Sequence, residues 1–193
     1  MKKALSHDEV EKIARSALAE DEQLVWCGAP DPRASLIQHA RIAIFGSGVG
    51  FLALWWLSRL TNYEIPDLTK FHYTTVFILV SFFLLLIGLA MMSVPLVVHR
   101  NARRTVYALT DRRCMIVRLG KVRRIRSYTR EDIGKIEWMI GPRGKDNVIF
   151  GTPEATVKKG GTPFRRAGFY TIPDAKTVEQ RLREVFRMPE EAA

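Results

Sequence analysis

Apolar residues fall along this chain in three rhythms, and each predicts a different kind of element. Near the start, Val10, Ile13, Ala14, Ala17 and Leu18 recur at helical spacing, with Asp8, Glu11, Lys12 and Arg15 elsewhere around the cylinder. Ser6 followed by Glu9 is a capping-box pattern, and Leu5 and Val10 are spaced for the accompanying hydrophobic staple, so a helix is expected to start there. The apolar stripe needs a cover: a later domain, the bilayer surface or another protomer, with packing on the domain as the expectation. A short strand over Gln23–Gly28 follows, and Ala29-Pro30-Asp31-Pro32 then breaks regular structure as a linker before the next segment.

The second rhythm is continuous. Residues 42–58 carry no charge and are bracketed by Arg41 and Arg59, and a longer apolar run covers residues 73–98. Crossing about 30 Å of hydrocarbon takes roughly 20 apolar residues, so the first run just suffices and the second implies tilt or an end in the interface. Neither reads as a cleavable signal, because the first starts only at Ile42, after polar and amphipathic chain. Together they predict a transmembrane hairpin over residues 42–98. Lys and Arg flanking the spans set its orientation. Arg33, Arg41, Arg100, Arg103, Arg104, Arg112 and Arg113 lie outside the hairpin, whereas the loop has Arg59 and Lys70 offset by Glu64 and Asp67, so both termini are expected in the cytoplasm. Gly46 and Gly50 flatten one helix face for close packing, against the second span or another copy. The same GSGVG is not a phosphate loop, because it sits inside an apolar span. Trp55, Trp56, Tyr63 and Tyr73 match an interfacial aromatic belt.

The third rhythm begins after Val98, where short alternating runs separated by turn signals predict a β-rich domain over residues 99–188, with 189–193 as a tail and 1–41 as an N-terminal segment. The expected strands are 105–109, 114–119, 122–128, 133–140, 148–150 and 169–172, with a tight reversal at Gly120-Lys121. Ile136, Trp138 and Ile140 alternate in phase, which places them in the core, and the Gly, Pro and Lys-rich stretch before Phe169 reads as a hairpin. Asp174 is the expected N-cap of a last helix that puts Val178, Leu182, Val185 and Phe186 on one face.

Three local patterns then carry a resemblance: Trp26-Cys27-Gly28-Ala29-Pro30, Tyr107-Ala108-Leu109-Thr110-Asp111-Arg112-Arg113, and Phe169-Tyr170-Thr171-Ile172-Pro173-Asp174. With the order of elements, they make the chain from about Leu24 to Phe186 resemble bacterial PH-like membrane proteins, in which a transmembrane hairpin accompanies a small β-domain. The resemblance implies an α+β membrane protein of the bacterial inner membrane: a two-helix hairpin plus a PH-like antiparallel β-roll capped by a C-terminal helix, without catalytic activity. It supplies no ligand. PH domains of eukaryotes often bind phosphoinositides through their first hairpin loop, and no lipid site transfers residue by residue.

Charge narrows the partners. The net charge is +10, and the surplus lies after Val98. Beside a membrane such a domain attracts anionic headgroups, so Arg100, Arg103, Arg104, Arg123, Arg124 and Arg126 are the candidate contacts with lipid or a membrane-protein partner. The plain alternatives are the positive-inside topology signal for the first three and a solvated strand face for the others. Arginines near Tyr128, Trp138 and Phe164 raise membrane-tethered nucleic-acid binding as the alternative, set against by the core phase of Trp138. A reactive constellation is not apparent: His7, His39, His72 and His99 are scattered between the first helix, the span edges and the loop, and Cys27 and Cys114 stand alone. No metal, cofactor or enzymatic activity is expected. The function expected is a non-enzymatic binding or scaffolding module, with a homo-oligomer left open by the glycine face and the N-terminal stripe.

Overall fold

A computed structural model describes residues 5–61, 73–120, 122–159 and 166–188. In chain order the elements are α1 (His7–Arg15), β1 (Leu24–Gly28), α2 (Pro32–Gln38), α3 (Ala40–Thr61), α4 (Tyr73–Ala102), β2 (Thr105–Thr110), β3 (Arg113–Arg118), β4 (Arg124–Thr129), β5 (Ile133–Met139), β6 (Asp146–Gly151), α5 (Pro153–Lys158), β7 (Gly168–Ile172) and α6 (Ala175–Phe186). The fold is α+β, and it divides into two compact units: Met1–Ser35 with His99–Ala193, and Leu36–Val98.

The first unit is discontinuous in sequence, because β1 pairs with β2 across the whole intervening stretch. Its strands form two antiparallel sheets, one of four strands in the order β1-β2-β3-β4 and one of three in the order β5-β6-β7. Alternation sends the two faces of the four-stranded sheet into different cores. Tyr107, Leu109, Cys114, Ile116 and Tyr128 join Phe150, Phe169, Ile172 and the α6 residues Val178, Leu182 and Phe186 in the main core. Val106, Ala108, Met115 and Val117 on the opposite face are covered by Val10 and Ala14 of α1, which settles where the N-terminal stripe goes. The capping box at Ser6 is present, with Glu9 N–H donating to the hydroxyl and Ser6 N–H donating to the Glu9 carboxylate.

The three sequence patterns meet in one aromatic cluster. Phe169 lies with its ring centroid 5.4 Å from Trp26, 5.0 Å from Tyr107 and 4.9 Å from Phe150, spacings that give aromatic pairs specific geometry beyond area burial. Gly28 is required beside it, since a Cβ there would fall 2.5 Å from the Trp26 ring.

Four expectations are corrected. The stretch after Gly151 is not a hairpin in its described part: Thr152 accepts from Ala155 N–H and starts α5, with Pro153 in its first turn. Asp174 adopts a left-handed conformation (φ 53°) and makes no side-chain cap, so packing of Val178, Leu182 and Phe186, rather than a cap, specifies α6. The 29–32 linker is short, because Asp31 accepts from Arg33 and Ala34 N–H and opens α2 directly. Trp138 and Ile140 leave the core although Ile136 is inside it: the pairing of β5 with β6 is irregular between Ile133 and Glu137, which breaks the simple alternation, and Ile140 lies beyond the end of β5. The reversal at Lys121, the loop around Tyr63, Phe164 and the tail 189–193 lie outside the described residues.

The second unit contains α3, 22 residues, and most of α4, 30 residues, about 33 and 45 Å long at 1.5 Å per residue. Both are long and apolar enough to cross a membrane. They run antiparallel and touch where side chains are smallest. A Cβ on Gly88 would lie 2.8 Å from the Gly46 carbonyl oxygen and from the Gly50 nitrogen, and one on Gly46 would lie 2.6 Å from the Met91 Cβ. The close neighbour of the Gly46 and Gly50 face is therefore α4 of the same chain. Gly50 offers its backbone to Gly88, and its own Cβ direction meets the Leu85 Cδ1 at 4.0 Å.

Candidate functional site

The chain's charge pattern becomes a site through strand register. Thr105, Arg118 and Arg124 stand directly opposite one another across β2, β3 and β4, forming a row at one end of the four-stranded sheet. Arg126 lies two residues further along β4, on the same face as Arg124. Like charges directly opposite on a sheet repel, and the register sets Arg118 opposite Arg124.

The chain enters this end of the sheet from the last turn of α4. The helix stops at Ala102 and β2 starts at Thr105, so only Arg103 and Arg104 intervene. The Arg104 carbonyl accepts from Leu119 N–H at 2.6 Å, tying this junction to the end of β3. Arg100 is exposed in the last turn of α4, and the preceding His99 donates from Nδ1–H to the Pro32 carbonyl at 2.8 Å. That bond joins the segment leading to the apolar helices with the segment returning from them. The sequence candidates Arg100, Arg103 and Arg104 thus precede β2 directly in the chain, and Arg124 and Arg126 lie on the strand two places from it, with Arg124 in register with Thr105. Arg118 joins them, and no sequence pattern marked it: only register places it beside Arg124.

Arg123 has another task. Its guanidinium donates to the Ile13 carbonyl at 2.9 Å and the Ser16 hydroxyl at 3.0 Å, closing the C-terminal end of α1. Alternation sends it to the α1 side of the sheet, away from Arg124 and Arg126.

Much of the unit's negative charge is engaged elsewhere. Glu22 pairs with Arg113 at 2.6 Å, Asp132 with Lys159 at 2.6 Å, Glu137 with Arg166, and Glu179 with Arg183 at 2.8 Å. Burial opposes ionisation of Asp132, yet hydrogen bonds from Lys159 and from the N–H and hydroxyl of Thr129 outweigh it and hold the carboxyl below its ordinary value. Burial pushes the Tyr128 phenol up, and the positive charge of Arg126 and Arg118 opposes that shift. Burial alone raises the Cys114 thiol strongly, which keeps it protonated and unreactive.

Groups of three or more His, Cys, Asp or Glu side chains able to hold a metal are absent among the described residues. The chain matches no protein-family model, no curated protein and no solved structure.

Proposed function

We propose that this chain is a membrane-anchored, non-enzymatic PH-like binding or scaffolding module of the bacterial cytoplasmic membrane, with a basic sheet end that meets anionic headgroups of the inner leaflet. The observation that carries the reading is the Arg118–Arg124 pair, set in register with Thr105, the residue at which β2 begins after the two-residue link from α4. A tether that short keeps the basic end within reach of headgroups, where each Lys or Arg near an anionic surface contributes about 1 kcal/mol.

Other features support the parts of this reading. Sheets of four and three strands closed by one C-terminal helix are the element set of a PH-like roll. The apolar helices leave and rejoin between β1 and β2, the connection at which PH domains often take phosphoinositides, so the anchor stands where a ligand loop would. The large side chains of α3 and α4, among them Ile44, Phe45, Phe51, Phe82 and Phe83, are exposed in the described structure and call for an apolar surrounding. The excess of Lys and Arg outside the hairpin supports cytoplasmic termini.

The exposure of Trp138 removes the argument that had set nucleic acid aside, since a stacking platform needs an exposed aromatic beside basic residues. Its neighbours on the strand, Met139 and Ile140, are aliphatic, which suits lipid better than a run of bases.

The test uses the full chain purified from membranes containing phosphatidylglycerol. Wild type is expected to retain more phosphatidylglycerol than an Arg118→Gln/Arg124→Gln variant; equal retention refutes the headgroup assignment. Labelling of Asn62→Cys but not Lys158→Cys by an impermeant thiol reagent in intact cells is expected from the orientation, and the reverse pattern overturns it. Binding to single-stranded DNA that falls steeply with salt would favour the nucleic-acid reading instead.

A further inference from the structure

The connection between β5 and β6 combines exposed apolar side chains with basic ones. Trp138 is 43 % exposed, Met139 49 % and Ile140 80 %. The following turn carries Arg143, left-handed at φ 62°, then Gly144 and Lys145. One carboxylate braces it: Asp146 accepts from the Trp138 indole N–H at 3.1 Å and from Gly141 N–H at 2.9 Å. The indole N–H is therefore satisfied by the protein, and the ring keeps its apolar body outward. A braced loop presents these side chains at low ordering cost.

The loop's place in the unit gives it a direction. Met139 pairs with Asn147, whose side-chain oxygen accepts from Thr171 N–H at 2.9 Å. The Thr171 carbonyl accepts from Asp31 N–H at 2.8 Å, and its hydroxyl lies 2.8 Å from that of Ser35, the residue at which the chain leaves this unit. Lys145 lines one cleft with Pro32, Ala102 and Arg103. The loop thus shares the end of the unit where the chain departs for α3 and returns from α4.

We propose that this loop is a second membrane contact, resting on the membrane-anchored reading above: Trp138, Met139 and Ile140 enter the interfacial region of an anionic bilayer while Arg143 and Lys145 meet its phosphates. An aromatic ring prefers that depth, and the flanking cations complement its charge, with Asp146 as the one acid in the turn. The contact differs in kind from the arginine row. Apolar insertion resists salt, whereas headgroup attraction is screened by it.

The test uses the full chain in phosphatidylcholine–phosphatidylglycerol nanodiscs containing a lipid spin-labelled near the top of its acyl chain. A polarity-sensitive fluorophore is attached at Ile140→Cys in a Cys27→Ser background, leaving the buried Cys114 in place. Parallel labels at Leu52→Cys, within α3, and Val157→Cys, exposed on α5, report the anchor and solvent. The expected result is blue-shifted emission at 140, quenched by the spin-labelled lipid at low and high salt alike. Quenching at 52 with a solvent-like signal at 140 overturns the loop contact and leaves the anchor standing. A blue shift at 140 without quenching shows a protein cover, such as a second copy, and overturns it too. Absence of quenching at 52 removes the membrane reading and this inference together.

Discussion

The two units of this protein place their large apolar side chains in opposite ways. In the β unit, Phe150, Phe169, Leu109 and Leu182 are fully buried and the surface is charged. In the helical unit, phenylalanines and leucines point outward and the helices meet through Gly46, Gly50 and Gly88. Packing in the first is driven by removing apolar area from water, about 25 cal/mol per Å². In the second the helices meet through the backbone approach that small residues permit, which on the proposed membrane reading is the logic of helices whose surroundings are as apolar as they are. The contrast teaches that a Phe serves as a core residue in one unit and an outward-facing one in the other, and the same substitution should therefore report on both.

The largest effect expected is from Phe169→Ala, which removes the ring joining Trp26, Tyr107 and Phe150. It should destabilise the β unit by about 3–5 kcal/mol, read as a lowered midpoint in near-ultraviolet dichroism of the full chain. Next is Gly88→Leu, which overfills the α3–α4 contact and should cost about 1–3 kcal/mol in the helical unit. Crosslinking between cysteines on the two helices should fall, whereas Gly48→Ala, whose Cβ would have nothing within 4 Å, should leave it intact. If both glycine variants behave alike, the close approach at Gly88 is wrong.

Asp132→Asn comes third, at about 1–2 kcal/mol near neutral pH, since a partly exposed charged hydrogen bond to Lys159 is lost. The sign with pH follows from the lowered carboxyl value. The stabilisation is present above the ordinary carboxylate range and disappears as pH falls through the folded-state value, so wild type and variant should converge in acid. Denaturant midpoints at pH 7 and in acid measure this. The smallest effect belongs to Phe51→Ala. This ring is 73 % exposed, and its truncation should change helix–helix stability by less than about 0.5 kcal/mol; a loss matching that of Phe169→Ala would end the contrast.

Legibility in the sequence followed the range of the interaction responsible. Helix α1, its capping box, the two apolar runs and the six expected C-terminal strands were readable, because capping and periodicity are set by residues a few positions apart. Gly46 was readable as a packing glycine, but its partner Gly88 was not, since a lone glycine in an apolar run has no local mark. Trp138 was misplaced because strict alternation does not anticipate the irregular pairing of β5 with β6 between Ile133 and Glu137. Arg123 and Arg124, adjacent in sequence, separate into a clamp on α1 and a member of the basic row.

By itself the sequence determined α1, α6 and the strands, the two long apolar helices, the basic balance of the C-terminal part and the apolar face of α6, all consequences of side-chain chemistry read over one or two turns, but not α2 or α5. Only the tertiary structure decided that β1 completes a sheet interrupted by those helices, that Arg118 faces Arg124, and that the Trp138 loop lies at the end where the chain leaves the unit. Those facts depend on cross-strand register and packing between segments as far apart as Ser35 and Thr171, for which no local pattern exists.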